Sequence, residues 1–202
     1  MFLLGLLNIN MRNYTINDWN NFINEYDSHI THVVVAHTNI RAYVDPQNKW
    51  VVNDEARIEG LAAKAIKDCR YAMNCFNKLL HYGHGNRVVR QPLLYRPLSF
   101  VTLEGAKATT DSRQTLHFNI SLGNLPAEFT TADIEMLFKY AWCEKAGLNK
   151  NVWVRDYYRQ EGKDWHGYTG KEADYDRERV CGENSILVME NCWIPHNALA
   201  TD

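Results

Sequence analysis

Hydrophobic and polar positions change period several times along this chain, and each change marks an element. Residues 15–26 (TINDWNNFINEY) place Trp19, Phe22, Ile23 and Tyr26 on one helical face, with Thr15 as cap and Asp18 in the first turn. Ile30 to His37 (ITHVVVAH) is rich in β-branched residues and predicts a strand, followed by a turn at Asp45-Pro46-Gln47-Asn48. Residues 54–81 hold the longest helical pattern. There Leu61, Ala65, Cys69, Ala72, Met73, Phe76, Leu79 and Leu80 recur at steps of three and four, until His81-Tyr-Gly-His-Gly85 stops the helix. A basic connector runs from Arg87 to Pro97. Leu98 to Glu104 (LSFVTLE) and Thr115 to Leu122 (TLHFNISL) then predict two strands, and the Gly, Thr, Asp and Ser between them favour an antiparallel hairpin. Asp133 to Gly147 predicts a second amphipathic helix, Asn151 to Tyr158 an alternating strand, Trp165 to Glu172 a short helical segment, and Ser185 to Glu190 a last strand.

From residue 30 the order is strand, helix, strand, strand, helix, strand. Such a βαββαβ unit closes into a four- or five-stranded antiparallel sheet with helices on one face. The expected fold is therefore α+β, ferredoxin-like or RRM-like. Residues 1–29 form an N-terminal extension with a helix, and residues 30–202 form the main domain.

Composition narrows the picture. The chain has 202 residues, 46% hydrophobic and 23% charged, which suits a folded domain with its own core and excludes wholesale disorder. A net charge of −2 argues against a general polyanion binder. Five cysteines without a CxxC pair do not suit a disulfide scaffold or a zinc ribbon, and a reducing compartment fits them best. The apolar run from Met1 to Leu7 is too short to span a bilayer and lacks the flanks of a secretory signal. A soluble protein of the cytoplasm, with no membrane partner, is expected.

Strand alternation puts His117 and Asn119 on one sheet face, and Glu104, ending the preceding strand, lies within reach of both. A carboxylate, an imidazole and an amide oxygen suit a hard divalent cation, Mn²⁺ or Mg²⁺, better than zinc. The same three residues also suit an ordinary half-exposed strand, and their spacing alone does not choose. Tyr168 and Lys171, three apart on a helix, share a face with Trp165. A phenol beside an ammonium and a polarised phosphate is an activated nucleophile; an amphipathic helix with its lysine in water has the same pattern.

Taken together, three segments resemble the HUH endonuclease superfamily: Phe100-Val-Thr-Leu-Glu104, then Leu116-His117-Phe118-Asn119-Ile120-Ser-Leu-Gly-Asn-Leu-Pro126, then Trp165-His-Gly-Tyr168-Thr-Gly-Lys171-Glu172. That superfamily includes the single-tyrosine rolling-circle replication initiators of plasmids and phages. Its pattern is an acidic residue on one strand, His-hydrophobic-His on the next, and Tyr-x-x-Lys on a helix. The resemblance covers roughly residues 30 to 192, and it departs at Asn119, where the superfamily has a second histidine.

The resemblance implies metal-dependent nicking and joining of single-stranded DNA. Glu104, His117 and Asn119 would hold Mn²⁺ or Mg²⁺, Tyr168 would form a 5′-phosphotyrosine, Lys171 would orient the phenol or counter phosphate charge, and Glu172 would assist at the metal or balance helix charge. Tyr157, Tyr158 and Tyr175 stand as alternative nucleophiles. Between residues 84 and 115, Arg87, Arg90, Arg96, Lys107 and Arg113 face only Glu104 and Asp111, a local basic surplus suited to a single strand or hairpin at an origin. No GxxxxGK[ST] motif occurs, so no fused helicase is expected in this chain, and a host helicase is a candidate partner. Two other readings stand beside this one: a catalytically degenerate DNA-binding member of the same fold, and an RRM-like RNA-binding module. The last needs exposed aromatics on the central strands, where Leu98 to Glu104 offers only Phe100.

Overall fold

The β-branched run Ile30–His37 forms β1, one of the two inner strands of an antiparallel sheet. The structure is a computed structural model and describes residues 16–41, 55–105, 115–158, 165, 169, 188 and 191–195. Along these residues run α1 (Ile16–Asn24), β1, α2 (Glu55–Leu79), α3 (Asn86–Arg90), α4 (Pro92–Tyr95), β2 (Leu98–Glu104), β3 (His117–Gly123), α5 (Thr131–Lys139) and β4 (Val152–Asp156). The strand order is β2-β3-β1-β4, with every neighbouring pair antiparallel. This is the expected α+β, ferredoxin-like arrangement. Among the described residues no helix is long and apolar enough to cross a membrane.

One sheet face is the main core. Val34 and Ala36 of β1, Val101 and Leu103 of β2, and Phe118, Ile120 and Leu122 of β3 meet the apolar stripes of α2 and α5. On α2 that stripe is Ala65, Cys69, Ala72, Met73 and Phe76, spaced three and four apart as the sequence predicts. Helix α5 begins earlier than Asp133, because Thr130 and Asp133 form a reciprocal capping box. The helix also does not run unbroken to Gly147. Residues Tyr140–Lys145 widen into a π-helical turn, which seats Trp142 beneath the end of β1, where its indole N–H donates to His37 O at 2.8 Å. Gly147 then takes a left-handed φ of 65° and ends the element.

The opposite face carries the N-terminal helix. Phe22 and Tyr26 lie over Phe100, with ring centroids 5.9 and 5.7 Å away. Helices therefore flank both faces, and Phe100 is buried beneath α1 rather than presented as a base-stacking platform. The outer edge of β2 is covered by C-terminal residues: Ser99 exchanges two backbone hydrogen bonds with Trp193, and Val188 donates to Val101 O. Apart from Val188, the strand expected at residues 185–190 lies outside the described residues. The basic connector folds into α3 and α4, the latter begun by Pro92 at its first position.

Candidate functional site

Register decides which side chains meet on the α1-bearing face. Glu104 pairs with His117, and His117 pairs in turn with His37 on β1, so these three form one row across three strands. The next row on this face contains Thr102, Asn119, Val35 and Trp153, and the one after it Phe100, Ser121, Val33 and Arg155. Asn119 thus sits about 7 Å along β3 from His117, on the same face.

Glu104 is fully buried, and its Oε2 lies 3.0 Å from His117 Nε2. The other ring nitrogen of His117, Nδ1, lies 3.2 Å from the Thr115 carbonyl oxygen. A carbonyl only accepts, so Nδ1 is the donor there. Nε2 therefore faces the Glu104 carboxylate, to which it donates when it carries a proton and toward which it turns a lone pair when it does not. Both polar atoms of the Asn119 side chain are buried and have no hydrogen-bond partner among the described residues. An imidazole nitrogen, a carboxylate and an amide oxygen with no hydrogen-bond partner, on one face, are donor types that suit a hard divalent cation such as Mn²⁺ or Mg²⁺. No three His, Cys, Asp or Glu side chains gather into a metal-holding group among the described residues, and a cation held by Glu104 and His117 would need the Asn119 amide as its third donor.

His37 joins this cluster. Its ring stacks on that of His117, with centroids 4.8 Å apart and planes 17° from parallel, and its Nδ1 lies 3.0 Å from Thr115 Oγ1. Burial, and then the neighbouring His117, holds His37 below the ordinary histidine range. Nothing in the sequence singles out His37, because strand alternation gives its face but not its cross-strand neighbour. Trp165 is the other addition. Its indole N–H donates to Ser121 Oγ at 3.0 Å, and its ring meets that of Trp153 edge-on at 6.3 Å.

Of the expected site residues, the structure puts Glu104 against His117 and places Asn119 one row along the same face. Tyr168, Lys171, Glu172, Lys107, Arg113 and Tyr175 lie outside the described residues. The arginines of the connector stand apart from the site. Arg87 and Arg90 belong to α3, which precedes the start of β2, whereas Glu104 is at that strand's far end, about 20 Å along it. Arg87 lies over the Tyr95 ring at 5.6 Å, while Arg96 stacks on Trp193 at 4.9 Å and donates to Asn74 Oδ1. Arg96 is thus engaged within the fold. Tyr157 and Tyr158 also stand at the end away from Glu104. Tyr157 donates to Asp27 Oδ1 at 2.5 Å and Tyr158 to Asp156 Oδ2 at 3.1 Å. The Asp156 bond, then its charge, raises the Tyr158 hydroxyl above the ordinary phenol range, which disfavours it as a nucleophile.

No protein-family model, curated protein or solved structure matches this chain.

Proposed function

We propose that this protein nicks and rejoins single-stranded DNA through a tyrosine, with Tyr168 as the nucleophile. The observation that carries this reading is the Glu104–His117 contact with the buried Asn119 amide, which has no hydrogen-bond partner among the described residues, one row along the same sheet face. Trp165, three residues before Tyr168 in the chain, adds support because its indole bonds Ser121 on that same face.

In this reading Glu104, His117 and Asn119 would hold Mn²⁺ or Mg²⁺, which would supply Lewis-acid stabilisation of charge on a scissile phosphate. The Tyr168 phenol loses its proton and its oxygen bonds to phosphorus, while the bond to the 3′-oxygen breaks and that oxygen takes up a proton. The products are a 5′-phosphotyrosine and a free 3′-hydroxyl. Lys171 balances the developing negative charge, and Glu172 acts beside it. The same bond, attacked by another 3′-hydroxyl, rejoins a strand.

The test is incubation of the full chain with a 3′-labelled pool of random single-stranded DNA and Mn²⁺. An adduct that survives detergent, and is lost in Tyr168→Phe and with chelator, is the expected result. Absence of an adduct with every divalent metal overturns the reading. A second reading, a DNA-binding member of the same fold without nuclease activity, is favoured by Asn119 itself, since an amide is a weaker donor than imidazole. DNA binding without an adduct is its signature.

A further inference from the structure

We infer that His37 is a positioning residue that holds the His117 imidazole with its Nε2 aimed at Glu104. The inference rests on the reading of Glu104, His117 and Asn119 as a cation site. With an amide at position 119, that site has one imidazole, and the aim of that ring matters more than where two are present.

The geometry is a clamp. His37 and His117 are direct cross-strand partners, and their rings lie face to face. Thr115 touches both, with Oγ1 at 3.0 Å from His37 Nδ1 and its carbonyl at 3.2 Å from His117 Nδ1. Both rings therefore turn their Nδ1 edges to Thr115 and their Nε2 edges away from it. His37 is itself fixed at the backbone, where its N–H donates to Asn151 O at 3.0 Å and its carbonyl accepts from the buried Trp142 indole. A ring so anchored blocks rotation of its neighbour.

His37 supports rather than ligates. Imidazole lone pairs lie in the ring plane, and nearly parallel planes with centroids 4.8 Å apart do not send two lone pairs to one ion. Loss of a support of this kind typically weakens metal affinity about 10–100-fold.

The test compares wild type, His37→Ala and His37→Phe, by Mn²⁺ titration followed by electron paramagnetic resonance and by NMR of the His117 ring in metal-free protein. His37→Ala is expected to bind Mn²⁺ at least about tenfold more weakly and to exchange the His117 Nδ1 proton faster than wild type does. His37→Phe, which keeps a flat ring on His117, is expected to restore both. Wild-type affinity and an unchanged Nδ1 proton in His37→Ala overturn the inference. So does a His37→Phe protein as weak as His37→Ala, which makes His37 a ligand. If the wild type takes up no Mn²⁺, the cation reading fails, while the Nδ1 proton in metal-free protein still decides whether His37 orients His117. Should His37→Ala not fold, Thr115→Val, which frees His37 Nδ1, is expected to weaken both readouts, and wild-type values there overturn the inference.

Discussion

Asn119 is buried with neither its amide oxygen nor its amide nitrogen bonded among the described residues, an expensive way to fill a strand position. Leucine is an apolar side chain of similar shape with no polar atoms. Asn119→Leu is therefore expected to stabilise the metal-free protein by about 1–3 kcal/mol while reducing Mn²⁺ uptake. Urea unfolding with chelator, alongside a Mn²⁺ titration, checks both halves. A less stable variant would show that the amide already has partners. At this scale the sequence is partly legible. Alternation is local, so the shared face of His117 and Asn119 can be read from residue types. His37 cannot, because its role depends on which residue of another strand stands opposite.

At the scale of elements, β1 and β2 fall on the residues the hydrophobic pattern predicts, since β-branched runs and alternation are properties of a few neighbouring positions. The connector and the end of α5 do not. An amphipathic run from Asp133 to Gly147 reads as one helix, yet Trp142 must both stack on Phe138 at 5.7 Å and reach the His37 carbonyl, and the backbone widens into a π turn that allows both. Gly123 shows a similar long-range constraint. A Cβ there would clash with the His29 carbonyl, 1.9 Å from its oxygen, so β3 can end beside the start of β1 only with glycine. Gly123→Ala is expected to cost about 1–3 kcal/mol, read from the urea midpoint. A midpoint equal to wild type would show that the two backbones are not held this close.

Across the whole molecule the sheet has a core on each side, which the expected picture of helices on one face did not include. The larger core is built on α2 and α5, and the smaller on α1, where Phe22 and Tyr26 cover Phe100. Phe100→Ala is expected to cost about 3–5 kcal/mol, as a buried aromatic in a packed cluster does. Thermal or chemical unfolding measures it, and a loss near zero would show that α1 does not pack on this face in solution. The two faces also differ in content. One is filled with apolar side chains, whereas the other holds α1 at one end of β2 and Glu104, His117 and Asn119 toward the other.

The order of the four strands with α2 and α5, the apolar stripes of those helices, and the shared face of the candidate ligands were determined by the chain alone, because each follows from the sterics of residues within a turn or two. Tertiary structure alone decided that Glu104 stands opposite His117 and His37 beside it, that Tyr157, Tyr158 and the α3 arginines stand at the other end, and that α1 closes the second face. Register and burial are settled by pairings between segments far apart in sequence, and a local pattern is compatible with many of them.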